Sequence, residues 1–241
     1  MATRGKLKGF LRQPLAGLKQ VWRMGRYRRA GIVVERLIPS EVHGKGIGAW
    51  VVASGRLNAD SVVYSIGVGR ELSLDLSLVA TYGCTVHCFD PTPVSAQWMR
   101  EQVLPPPIVF HEVGLAAHDG ELAFRMPRKS GSAHFSPIQR DASDREEERV
   151  KAPVWRLETM MQRLGHDHID LLKIDIEGGE YEVIEDIVRV GSGVGQLLME
   201  FHHCYRQVPL ARTVEAVERL RSGGFRIFSI SPRTYEISFT R

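Results

Sequence analysis

Five short runs of β-type composition recur along this chain with helical segments between them: Ser61–Ile66, Thr85–Phe89, Ile108–Val113, Ile169–Ile176 and Gln196–Phe201. Helical spacing marks Leu72–Tyr82, with Leu72, Leu76, Val79 and Ala80 on one face, then Val94–Val103, Leu157–Leu164, Glu180–Val190 and Leu210–Ser222. Strands joined by helices need right-handed crossovers, which make neighbouring strands parallel. Phe225–Ser231 and Tyr235–Thr240 close the series as a terminal pair. The expected fold class is α/β: a doubly wound, mostly parallel, seven-stranded, Rossmann-like sheet with an antiparallel C-terminal edge. Ile32–Ile38 and Ala49–Val52 read as short strands before the series, and Glu121–Met126 as another outside it.

In such sheets ligands bind beyond the carboxyl ends of the strands, where the strand order reverses. The first strand runs into Gly67-Val68-Gly69, and two glycines there let a ligand approach the backbone. A nicotinamide fingerprint needs a small residue at position 72, which is Leu72, and Glu71 stands where a pyrophosphate would bind. An acid at that point suits a cationic ligand such as S-adenosylmethionine, or simply favours the first helical turn. Asp90 follows the second strand, 23 residues after Gly67, in a stretch stiffened by Pro91 and Pro93. An acid there can accept hydrogen bonds from vicinal ribose hydroxyls.

The stretch Leu171–Glu180 carries the densest signal. Lys173, Asp175 and Glu177 alternate with Leu172, Ile174 and Ile176, so strand period puts the three charges on one face. A central parallel strand is normally apolar on both faces, so these charges point to a cleft. Glu200 and His202 repeat the pattern one strand later. A base for a hydroxyl acceptor is available from Asp175, Glu177, Glu200 or His202; Asp175 or Glu177 is favoured for positioning and His202 as the base. The same residues suit a divalent metal or a purely structural ion network, neither of which is the favoured use.

These segments resemble the FkbM-like family of S-adenosylmethionine-dependent methyltransferases. The resemblance rests on V-Y-S-I-G-V-G-R-E-L-S-L-D (63–75), V-H-C-F-D-P-T-P (86–93), H-E-V-G-L-A (111–116), I-D-L-L-K-I-D-I-E-G-G-E (169–180) and L-L-M-E-F-H (197–202), with G-F-R-I-F-S-I (224–230) in support. It implies the class I methyltransferase fold and, in most relatives, O-methylation of a hydroxyl on a small molecule or sugar. By position it implies Gly67, Gly69 and Glu71 beside the methionine part of the cofactor. It implies Asp90 on the ribose, Gly114 with its neighbours near the adenine, and Asp175, Glu177 and His202 facing the transferred methyl. Relatives often carry Asp where this chain has Ser65, which would pass the acid duty to Glu71. The alternative is a non-catalytic adenosyl-binding or protein-interaction module on the same fold.

Composition matters most at the N-terminus. Of 32 Lys and Arg, nine lie within residues 1–29, which contain no acid, leaving 23 against 28 acidic residues in the remainder. Within this arm Leu7, Phe10, Leu11, Pro14, Leu15, Leu18, Val21 and Trp22 recur at helical spacing. The favoured expectation is that this stripe packs on the body or on a second subunit; the other is an anionic membrane surface or an acidic partner. A nucleic-acid role is not favoured, since few aromatics interleave with the bases. The expected division is an arm with short strands at 1–58 and a methyltransferase domain at 59–241, with 128–151 a mobile loop able to cover the acceptor. Three cysteines without a C-x-x-C pair point to a reducing, cytoplasmic setting.

Overall fold

The computed structural model describes residues 12–127, 133–138 and 149–241. The central sheet has seven strands: β3 (Val62–Ile66), β4 (Thr85–Phe89), β5 (Ile108–His111), β9 (Ile169–Ile174), β10 (Val194–Glu200), β11 (Arg226–Ile230) and β12 (Glu236–Thr240). Their spatial order is β5-β4-β3-β9-β10-β12-β11. The first five pair in parallel, and β12 runs antiparallel to both β10 and β11. The chain winds from β3 outward through β4 to β5, then returns to lay β9 on the other side of β3, so the order reverses between β3 and β9.

Strand alternation sorts the core into two layers. Tyr64, Phe89, Leu172 and Leu197 point to the layer covered by α4 (Leu157–Leu164), α5 (Glu180–Val190) and α6 (Leu210–Ser222). Val63, Val86, Cys88, Leu171 and Leu198 point to the layer under α2 (Ser73–Tyr82), α3 (Pro93–Arg100) and the hairpin of β1 (Ser40–His43) with β2 (Trp50–Ala53). Local chemistry sets several helix ends. Pro93 follows the N-cap Thr92, whose side chain accepts from the Ser95 amide, and Gly83 and Gly165 end α2 and α4 in the left-handed conformation. A second sheet, β6 (Gly114–Leu115), β8 (Arg149–Trp155) and β7 (Gly120–Arg125) in that order, holds its own cluster of Phe124, Phe135, Ala152 and Val154.

Several expectations change. Ile32–Ile38 makes no ladder: the Glu35 and Arg36 amides both reach the Ile227 carbonyl, Val33, Val34 and Leu37 are exposed, and the strand comes later, at Ser40–His43. The inward face of α2 is Leu74, Asp75 and Leu78, while Leu76 is exposed, because this helix turns an acid toward the ligand end of the sheet. The strand at 169 ends at Ile174, so Asp175 and Glu177 lie beyond it. The proposed loop 128–151 contains the start of β8, and its residues 133–138 bridge to β7 through Arg125 and Ser136; residues 128–132 and 139–148 lie outside the described residues. Val21 and Trp22 of the N-terminal stripe are exposed on α1 (Arg12–Arg29) rather than packed on the body. Among the described residues no helix is long and apolar enough to cross a membrane.

One cluster on the sheet makes stability pH-dependent. His87, His111 and His166 gather around Tyr64, with the His87 Nδ1 and His111 Nε2 atoms 3.1 Å apart. Burial and the neighbouring imidazoles push His87 down to about 4. The native state therefore refuses a proton that the unfolded chain accepts, and stability falls as pH drops from about 6.5 to about 4. Because the cluster is only half-buried, His87→Gln is expected to remove roughly 3–6 °C of the fall in Tm across that window. A thermal melt series from pH 7 to 4 checks this; an unchanged slope in the variant refutes it.

Candidate active site

A cavity of about 1010 Å³ opens beyond the carboxyl ends of β3, β4, β9 and β10, where the strand order reverses. Its floor depends on Gly67. That residue has φ +75°, its amide donates to the Phe89 carbonyl at 2.8 Å, and a Cβ there would stand 1.7 Å from the Asp175 carbonyl oxygen. The chain therefore crosses the β9 loop at a distance that only glycine permits. Asp90 pins the same loop from β4. Its Oδ2 accepts the Gly69 amide at 2.9 Å, and its Oδ1 accepts the Thr92 amide and hydroxyl. Asp90 lines the cavity, and a carboxylate oxygen such as its Oδ2 can accept a second hydrogen bond beside that of Gly69. Gly114 also lines the cavity, and a Cβ there would meet Pro91 at 2.8 Å, so this glycine lets β6 approach the Asp90 loop.

The charged residues converge as their order along β9 and β10 suggests, but by different means. Lys173, the last charge inside β9, is buried and donates to the carbonyls of Ile66 and Gly67 at 3.2 and 2.9 Å, with the Asp175 Oδ2 at 3.9 Å. The Asp175 Oδ1 is sealed from solvent and accepts no hydrogen bond. Glu177 reaches the cavity from a left-handed turn, φ +53°, and not by strand alternation. It binds His134 and Tyr205 through its carboxylate and the Ser136 hydroxyl through its carbonyl. The described part of the insertion is thereby tied to the site, and Ala133, His134 and Phe135 form part of its wall.

His202 is the electrostatic centre. Its Nδ1 lies 2.7 Å from the fully buried Glu180, and its Nε2 lies 3.6 Å from Glu177 and 3.8 Å from Asp175. Burial opposes a charged ring, yet Glu180, Asp175 and Glu177 outweigh it and raise His202 to about 10. Glu200, next to Arg233, is raised by burial and by Asp175 to about 7. Burial raises Asp175 as well, opposed by Lys173 and His202. Asp175, Glu200 and His202 bring one potential ligand atom each to within 4.8 Å of one another, close enough for a divalent cation to be held in place of protons.

Two features escaped the sequence reading. The carboxylate missing at Ser65 is supplied by Asp75 of α2, buried against the cavity with its Oδ1 unpartnered. Burial raises its carboxyl, countered by a hydrogen bond from Ser65 and the charge of Lys173. Glu71 also lines the cavity and accepts the Ser73 amide of the first turn of α2 at 2.7 Å. The second feature is the β1–β2 hairpin, whose Ile47, Gly48 and Trp50 close one wall. In all, seven carboxylates against three Lys and Arg line the cavity. That balance, with two orphaned acceptors, favours a cationic, donor-rich ligand over a dinucleotide pyrophosphate.

The model of the Methyltransferase FkbM domain matches residues 63–232. This chain belongs to the FkbM methyltransferase family. The chain is similar to the probable methyltransferase-like protein 24 of Homo sapiens, 26% identical over 147 residues, covering 60% of this chain and 33% of that protein. The Rattus norvegicus protein of the same name is 29% identical over 142 residues, covering 58% and 32%. The chain thus spans about a third of the length of these relatives. Among solved structures, the Methylobacillus flagellatus methyltransferase FkbM superposes with a TM-score of 0.50 at 12% identity, covering 77% of this chain and 44% of that one. The class I methyltransferase fold expected for an FkbM domain is therefore the fold observed.

Proposed function

We propose that the chain is an S-adenosylmethionine-dependent methyltransferase acting on a hydroxyl of a small molecule or sugar. The observation that carries this reading is the acidic cavity at the reversal point of the sheet, lined by seven carboxylates against three Lys and Arg. S-adenosylmethionine brings positive charge and hydrogen-bond donors to a lining in which carboxylates outnumber Lys and Arg. Asp75 and Asp175 are the acceptors for its ammonium group, the Oδ2 of Asp90 is the acceptor for a ribose hydroxyl, and Gly114 with Leu115 flanks the adenine. When bound, the cofactor would supply an electrophilic methyl on a sulfonium, with a neutral thioether as the leaving group.

The protein then has two tasks: aligning the acceptor oxygen and receiving its proton. At neutral pH His202 already carries a proton, so we assign the base to Glu200 and not to His202. As the acceptor O–H breaks and the O–CH3 bond forms, the proton passes to the Glu200 carboxylate. His202, held by Glu180, lies 3.6 Å from Glu177 and 3.8 Å from Asp175 and keeps both carboxylates in position, its charge opposing the rise that burial imposes on Asp175. Ala133, Phe135 and Trp50 exclude water from the acceptor side.

Calorimetric titration with S-adenosylmethionine and S-adenosylhomocysteine, with and without Mg²⁺ or Mn²⁺, tests the reading. Micromolar binding is expected, weakened tenfold or more in Asp90→Ala, which frees both the ribose acceptor and the Gly69 loop. Binding without turnover on any hydroxyl acceptor would favour the non-catalytic module. No binding of either compound under any condition sinks the proposal.

A further inference from the structure

Helix α1 has two faces, and only one of them is used by the fold. Tyr27 is buried, donating to the Thr234 carbonyl and lying 3.4 Å from His203 Nδ1. Arg23, one turn earlier, stacks over Tyr235 at 5.3 Å. At 3.6 residues per turn, Tyr27 lies about 140° around the helix from Trp22 and about 120° from Val21. Val21 and Trp22 therefore face away from the body. Val21 is 71% exposed and Trp22 57% exposed. Arg26 lies over the Trp22 ring at 4.8 Å, and Lys19, Arg28 and Arg29 are exposed around it. The anchor engages the turns that also deliver Arg233 and His202 to the cavity.

We propose that this outward face of α1 docks on an anionic lipid surface. The charge complementarity is one-sided: residues 1–29 carry nine basic side chains and no acid. Apolar groups set between cations match a headgroup layer over hydrocarbon, where Trp22 and Val21 enter the acyl boundary and the guanidinium groups meet phosphates. A second copy of the same cationic helix would repel it, and a nucleic acid offers no hydrocarbon for Val21. The inference stands apart from the catalytic reading, because none of these residues lines the cavity.

Co-sedimentation of the full chain with phosphatidylcholine vesicles, and with vesicles containing 30% phosphatidylserine, tests it at low and high salt. Binding is expected on the anionic vesicles only, and lost at high salt. Lys19→Gln with Arg26→Gln weakens it roughly 25-fold, about fivefold per charge. Val21→Ser with Trp22→Ser weakens it about tenfold or more and abolishes the blue shift of tryptophan emission. Val42→Ser, which removes an exposed apolar group elsewhere, leaves it unchanged. Unchanged melting temperatures show that the variants fold. Equal binding to neutral vesicles, no binding to either, or a Trp22-dependent dimer or nucleic-acid complex in place of vesicle binding overturns the proposal.

Discussion

Gly67→Ala is expected to destabilise the protein by about 4 kcal/mol or more and to lower its Tm by roughly 10 °C or more. Two separate effects add. A non-glycine residue at φ +75° costs about 1–3 kcal/mol, and a Cβ 1.7 Å from the Asp175 carbonyl forces the β3 and β9 loops apart. Gly55→Ala separates the two. Gly55 has a similar φ of +70°, but nothing lies within 4 Å of its would-be Cβ. That variant should show the dihedral cost alone. If both substitutions lower Tm equally, the close approach at Gly67 carries no energy and the geometry of the cavity floor is misread.

The second large effect falls on turnover. Glu200→Gln is expected to reduce kcat by roughly 10²–10⁴-fold while leaving S-adenosylhomocysteine affinity within a few-fold of the original. With Glu200 near 7, the rate of the unaltered protein should rise with pH through neutrality, and this ascending limb should vanish in the variant. His202→Ala behaves differently. It takes from the fully buried Glu180 its ionic partner and leaves only the Ile176 and Gly178 amides, which costs about 3–5 kcal/mol, so the loss appears in the melt before it appears in the pH profile. A Glu200→Gln protein that keeps its full rate and pH dependence would return the base to Asp175, Glu177 or His202.

The strand ends were legible because parallel sheets bury both faces, so a charge inside such a run is conspicuous. Lys173 and Glu200 stand out by that logic, as does the glycine pair after β3. Asp75 was not legible. It sits in Ser73–Tyr82 among Leu74, Leu76 and Leu78, and apolar periodicity alone chose the wrong face of a helix whose N-terminus serves the cavity. Strand β8 was hidden for another reason: it follows a charged run and contains Pro153, which argues against a ladder, although here the proline pairs with Glu121 without breaking the register. Glu177 reached the expected neighbourhood through a left-handed turn, a backbone state that its side chain does not announce. The wall at Trp50, contributed from far along the chain, has no signature near the motifs it encloses, whereas Phe135 lies in the 128–151 segment expected to cover the acceptor.

Strand β12 lies between β10 and β11 although it follows both in sequence. While a nascent chain emerges from the ribosome, β10 is complete some forty residues before its neighbour exists. During that interval its outer edge, with Leu197, Leu198 and Met199, is an open template for pairing with another chain. Among the described strands β11 pairs only with β12, so the two dock together as a hairpin. Ribosome pausing or truncation ahead of Glu236 would therefore leave a nearly finished sheet with an adhesive margin, and misassembly during synthesis should concentrate there.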